Sequence, residues 1–291
     1  MNFMKSIVRE LFLGRGNIMV FGMSFAALWF GNGCATSLQE GGGLPSGPMR
    51  GVLLDAGHGG EPQEAAAYFG ENYASLSKAA RQGYREECYG AINASGYKEK
   101  TATLAVAKKA KSLLEQAGIN TAMIRSKDIY IPLDERVAKV SSPEYRDWIL
   151  VSIHFNRSSA RQQATHLKAR YRDVRGFEVY VLPPRGRRGS SGYPTVNNTR
   201  NANHLLAESV EARLDAIRGM KNRGIKEARF MILRGSPMPG VLIEGGFLSN
   251  PEEGVLIAAD RYQEILARAI VDGIRDYQMR TSSFAGNAMA E

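Results

Sequence analysis

Three polar side chains stand where apolar runs stop. His58 follows Val52-Leu53-Leu54 in the glycine-rich turn Asp55-Ala56-Gly57-His58-Gly59-Gly60, His154 closes the run 148–153, and Glu244 closes Val241-Leu242-Ile243. Ligands of open α/β sheets bind at the carboxyl ends of parallel strands, so three such residues form a convergent set. Two imidazoles and one carboxylate are what a catalytic zinc takes, with a fourth position left for water. A single histidine at a strand end is usually structural. Two in equivalent positions, in a chain with four histidines, favour a ligand role. His166, in a basic stretch, and His204, at the start of a helix, read as surface or capping residues.

These residues must be positioned by alternating strands and helices. After the strand at 52–54, Leu104, Ala107, Ala110, Leu113, Leu114 and Ala117 recur at helical spacing and stop at Gly118. A strand at 119–125, a short helix at 133–140, and strands at 148–153 and 177–182 follow. A helix over 202–218 places Leu206, Val210, Leu214 and Ile217 on one face; strands at 229–233 and 241–244 come next. The last helix has Asp260 as its cap and Ile265, Leu266, Ala269, Ile270, Ile274 and Tyr277 facing inward. This order predicts a single α/β domain over 51–280, with a mostly parallel twisted sheet flanked by helices on both faces and a disordered tail at 281–291.

Two stretches, 61–98 and 157–175, are longer than connections in a compact domain normally are. The second carries Arg157, Arg161, Lys168, Arg170, Arg172 and Arg175, a basic rim that could attract an anionic polymer. The first leaves the sheet just after His58 and returns just before Glu99, so it is expected to lie over or beside the site, either as a lid or as a surface elaboration with no gating role.

The 291 residues, 44% apolar and 23% charged, exclude wholesale disorder and a polytopic membrane protein. A net charge of +9 suits an anionic partner, either nucleic acid or cell wall. Cys34 and Cys88 cannot form a disulfide framework or a structural zinc site. Lys5, Arg9 and Arg15 precede an uncharged run at 18–30, too short to span a bilayer, which reads as a secretory signal over 1–33. Gly33-Cys34 just beyond it resembles the lipobox of bacterial lipoproteins, which implies a lipidated Cys34. Ala35 at the next position points to the outer membrane, on the periplasmic side. Residues 34–50, with Gly41 to Gly43, Pro45, Gly47 and Pro48, form a flexible tether. Without 1–33 the charge is still +7, so the basic character belongs to the domain.

Four blocks carry a family resemblance. The Asp55–Gly60 turn, Lys98-Glu99-Lys100 leading into an amphipathic helix, Ser152-Ile153-His154-Phe155-Asn156, and Val241-Leu242-Ile243-Glu244-Gly245-Gly246-Phe247-Leu248-Ser249-Asn250 resemble the signature blocks of the zinc-dependent N-acetylmuramoyl-L-alanine amidases, the Amidase_3 family. Arg125 and Asp128 before Leu133-Asp134-Glu135-Arg136-Val137, and Arg223-Gly224-Ile225-Lys226 before Met238-Pro239, also match in order. The resemblance covers about 51–278. It implies that His58, Glu99 and His154 hold Zn2+ and that Glu244 is the catalytic carboxylate. Zinc lowers the pKa of its water to about 7, and Glu244 would accept the proton and pass it to the leaving nitrogen. Glu71, Glu86 and Glu87, in the long segment between His58 and Glu99, are the rivals to Glu99. Asp55 and Asn156 would orient the ligands, and Arg125 and Arg136 would pair with acidic neighbours.

The expected function is cleavage of the amide between N-acetylmuramic acid and L-alanine in peptidoglycan, with a possible activator protein as partner. A zinc peptidase acting on stem or crosslink peptides, and a wall-binding protein without catalysis, are the other classes. Nucleic acid is disfavoured as a partner by the export signal and the absence of aromatic-basic motifs.

Overall fold

The structure is a computed structural model that describes residues 49–158, 174–183 and 198–288. The chain starts with β1 (Gly51–Ala56), followed by α1 (Pro62–Tyr68) and α2 (Lys78–Tyr89). Then come α3 (Glu99–Gln116), β2 (Thr121–Met123), α4 (Leu133–Val140) and β3 (Trp148–Asn156). The second half comprises β4 (Phe177–Val181), α5 (Asn198–Asp215), β5 (Asn222–Glu227), α6 (Met231–Arg234), β6 (Gly240–Phe247), α7 (Pro251–Ala258) and α8 (Asp260–Ala288).

The six strands form one sheet in the order β2-β1-β3-β6-β4-β5, parallel except where β4 runs against β6. The protein is thus a single α/β domain with a mostly parallel sheet. β1, β3 and β6 lie in the middle, which is why their sequences are nearly unbroken apolar runs rather than alternating ones. On one face Val52, Leu54, Val151, Ile153, Val241 and Ile243 pack under Val106, Ala110, Leu206, Val210 and Ile270 of α3, α5 and α8. On the other, Leu53, Leu150 and Leu242 are covered by Val140 of α4 and by Ile232 and Leu233 of α6.

The sequence places a strand at 229–233, and this is corrected: Met231–Arg234 is a helical turn, and the strand of this region is β5 at Asn222–Glu227. A short apolar triplet such as Met231-Ile232-Leu233 reads the same for a buried strand and a buried helical turn. β5 lies at the sheet edge and is half exposed along its length, so it lacks the apolar run that marks a strand. α7 is also absent from the sequence reading, although Asn250 caps it by accepting from the amides of Glu252 and Glu253, with Pro251 in its first turn. α8 continues to Ala288, past the expected tail boundary at 280.

Residues 61–98 fold into α1, a 3-10 turn at Tyr73–Ser75 and α2. They enclose a small core of their own, with Ala65, Ala66, Tyr84, Cys88 and Tyr89 packed on Phe69, Leu76 and Tyr130. The expected signal segment, Cys34 and nearly all of the tether lie outside the described residues, as do His166 and most of the basic stretch. No helix among the described residues is long and apolar enough to cross a membrane.

Candidate metal centre

The turn after β1 holds His58 in the left-handed region, φ 59°, the only such residue other than glycine among those described. Backbone strain of this kind persists where the surroundings over-determine it, and two buried arginines do so here. Arg136 donates from Nη1 to Asp55 Oδ1 (2.7 Å) and to the Ala56 carbonyl (2.9 Å), and from Nη2 to the His58 carbonyl. Arg125 donates from Nε to the Ala56 carbonyl (2.9 Å) and from Nη2 to that of Gly57 (2.8 Å). The second arginine therefore grips backbone rather than the acidic neighbour the sequence suggests.

His58 Nδ1 lies 2.7 Å from the carbonyl oxygen of Glu87 in α2. A carbonyl can only accept, so Nδ1 carries the proton and Nε2 presents a lone pair. That Nε2 is 3.2 Å from Glu99 Oε1, and His154 Nδ1 is 3.0 Å from the same oxygen. Glu99 opens α3 and is buried; its Oε1 also accepts from the Phe155 amide (3.0 Å) and its Oε2 from the Ala91 amide (2.7 Å). One ligating atom from each of His58, Glu99 and His154 lies within 4.8 Å of the other two. Burial would raise the Glu99 pKa, but the His58 and His154 imidazoles overcome it and hold the carboxyl far below its usual range. Burial likewise acts to lower the pKa of His58, and the Glu99 carboxylate outweighs it and raises the value.

Two glycines let the chain approach this cluster. A Cβ on Gly57 would sit 2.2 Å from Cε1 of the His154 ring. One on Gly90 would sit 2.2 Å from Glu99 Oε2, at a position whose φ of 65° is itself unfavourable to a side chain.

Glu244 stands beside the cluster. It faces His154 in the β3/β6 pairing, and its Oε2 is buried with no hydrogen-bond partner among the described residues. Burial, then the nearby Glu99 and Glu178 carboxylates, raise its pKa well above the carboxylate range. Glu178 faces Glu244 across the β6/β4 pairing and is treated in the opposite way. Its Oε1 accepts from Arg223 Nε (2.6 Å) and from Lys226 Nζ, and its Oε2 from Asn156 Nδ2 (3.0 Å) and the Tyr180 hydroxyl (2.7 Å). Burial opposes ionisation there too, yet these hydrogen bonds and the Lys226 charge lower the pKa.

The structure brings His58, Glu99 and His154 together and sets Glu244 next to them. Among the described residues, Asp55 and Asn156 make no side-chain hydrogen bond to the ligand side chains. Asp55 binds Arg136 and the Ser152 hydroxyl, and Asn156 binds Glu178. Glu71 and Glu86 are engaged with Tyr84 and Gln82, and the Glu87 carboxylate with the Tyr130 hydroxyl, so the rivals to Glu99 are turned elsewhere. His204 sits 3.9 Å from Glu227, remote from the cluster on α5. Residues 61–98 supply the Glu87 carbonyl to His58, the Cys88 carbonyl to the Gly59 amide and Gly90 against Glu99, so this segment is a wall that orients two members of the cluster. Glu178 went unnoticed in the sequence. The signal was there: a lone acid in the apolar strand Phe177-Glu178-Val179-Tyr180-Val181, which must find cations if buried.

Residues 52–276 match the family described as N-acetylmuramoyl-L-alanine amidase. The amidase AmiC of Neisseria meningitidis is 28% identical over 78% of the chain, and AmiA of Escherichia coli is 27% identical over 80%. The chain spans 52% of the first relative's length and 77% of the second's. Among solved structures, the amidase AmiC2 of Nostoc punctiforme matches with a TM-score of 0.56 at 28% identity, covering 81% of this chain and 97% of that one.

Proposed function

Since the chain belongs to the N-acetylmuramoyl-L-alanine amidase family, we propose that it is a zinc-dependent hydrolase of the amide joining N-acetylmuramic acid to L-alanine in peptidoglycan. The observation that carries this reading is Glu244, one strand away from a His–Glu–His cluster, with a carboxylate oxygen, Oε2, that is buried and has no hydrogen-bond partner among the described residues. His58, Glu99 and His154 would hold the ion. Two imidazole nitrogens and a carboxylate are the donor set of catalytic zinc sites that keep a position open, and the 4.8 Å limit on the separation of their ligating atoms suits one ion. When bound, zinc polarises the scissile carbonyl and acidifies water.

The chain's own groups do the rest. Glu87 fixes the His58 tautomer through its carbonyl, and the Ala91 and Phe155 amides fix the Glu99 carboxylate. Glu244 takes the proton of the attacking water and delivers it to the alanine nitrogen as the amide breaks. A carboxyl whose pKa is raised above the usual carboxylate range suits both steps, because it holds a proton more readily than an exposed one.

The reading includes export and a lipid anchor at Cys34 on the periplasmic face of the outer membrane, in keeping with a wall substrate. Labelling with a palmitate analogue should mark the wild type and not Cys34→Ser. The reaction itself is tested by digesting purified sacculi with residues 35–291 and identifying the fragments by mass spectrometry. Release of stem peptides with a free N-terminal L-alanine supports the amidase; cuts confined to peptide crosslinks would replace it with a peptidase.

A further inference from the structure

We infer that Arg223 and Lys226 form a subsite for a carboxylate on the second residue of the stem peptide, so that the enzyme selects stems whose second residue keeps a free α-carboxyl. This rests on the amidase reading of the neighbouring site. The two cations converge on a single carboxylate oxygen, Oε1 of Glu178. Glu178 is sealed in, with its side chain 3% exposed, whereas Arg223 and Lys226 remain 28% and 36% exposed.

The donor count points outward as well. Arg223 uses only Nε on Glu178 and Lys226 uses one hydrogen; no other hydrogen-bond partner of either side chain exists among the described residues. The terminal edge of a guanidinium is a planar fork that matches a carboxylate with two parallel hydrogen bonds. That fork is held rather than floppy: the Arg223 guanidinium carbon is 5.1 Å from the centre of the Phe247 ring, and Lys226 Nζ is 5.9 Å from that of Tyr180.

The placement fits the substrate. His154, Glu244 and Glu178 stand in register across β3, β6 and β4, and Arg223 and Lys226 come from β5, the next strand. Strands are about 4.8 Å apart, so β5 lies about 10 Å from the strand that carries Glu244. An extended dipeptide reaches about 7 Å, and the long side chains of Arg223 and Lys226 cover the difference. A stem lying across the sheet edge, with its scissile amide by Glu244, thus brings the carboxyl one residue beyond the released alanine to the cation pair.

The test compares two N-acetylmuramoyl tripeptides that differ only in a free α-carboxyl or an α-carboxamide on the second stem residue. With the full chain, the acid should have a kcat/KM about tenfold higher, the effect of a charge-assisted hydrogen bond. Arg223→Gln and Lys226→Gln should each move that ratio toward one, and Arg223→Lys should keep part of it. A wild-type ratio near one, or variants that slow both substrates while preserving the ratio, would overturn the subsite without touching the amidase assignment. If neither substrate is cut, the amidase reading falls. Titration calorimetry with the released acid and amide tripeptides then decides the subsite, which requires tighter binding of the acid that Arg223→Gln removes and is overturned by equal binding.

Discussion

The His–Glu–His cluster and Glu244 lie on neighbouring strands, yet the protein treats them in opposite ways. Two members of the cluster are gripped from outside it: Glu99 by two backbone amides, and His58 by the Glu87 carbonyl and by the arginine-clamped turn beneath it. Glu244 is half-buried, and its buried Oε2 has no hydrogen-bond partner among the described residues. Ligands need fixed direction, which hydrogen bonds provide. A proton carrier needs a carboxylate that gains from being protonated, which burial without a partner provides. The difference separates holding an ion from moving a proton within a few ångströms.

The largest expected effect probes the ungripped side. Glu244→Gln should lower turnover on sacculi by about 10²–10⁴-fold, the usual contribution of general acid–base catalysis. The pH dependence has a definite sign. A carboxyl raised in the fold costs stability as pH climbs above its unfolded value, so the metal-free wild type should lose stability on that climb relative to Glu244→Gln. Turnover retained by Glu244→Gln would break the comparison.

On the gripped side, Asp55→Asn strips the buried Arg136 of its carboxylate partner and should cost about 3–5 kcal/mol in urea denaturation at neutral pH. Burial would raise the Asp55 pKa, but Arg136, His154 and the Ser152 hydroxyl together outweigh it and hold the value low. A depressed carboxyl stabilises the fold above its unfolded value of about 4, and that contribution is lost as pH falls through the folded value. The gap between wild type and variant should therefore close on acidification. The smallest effect is expected for Gly90→Ala, which pushes a methyl toward Glu99 Oε2 from a position with φ of 65°. Competition with a chelator should show zinc affinity reduced about 10–100-fold, with the fold intact.

Much of this was legible in the sequence because parallel strands buried on both faces leave little doubt about where apolar runs end. His58, His154 and Glu244 stand at such ends, and the block resemblance added Glu99 at the start of its helix. What stayed hidden had no side-chain signature. The carbonyl of Glu87 orients His58, and a backbone contact between segments 29 residues apart leaves no mark in residue types. β5 was missed because an edge strand need not be apolar, and with it the pairing of Glu178 with Arg223 and Lys226. The length of the segment at 61–98 suggested an addition near the site, but nothing in its residue types showed that it has a small core of its own and a hold on His58.

The central claim, that three residues hold the ion and the fourth does not, is tested most directly by zinc content. Mass-spectrometric metal analysis of purified wild type, Glu99→Ala and Glu244→Gln should give about one zinc per chain, almost none and about one. A Glu99→Ala protein that keeps its zinc, or a Glu244→Gln protein that loses it, would contradict the account.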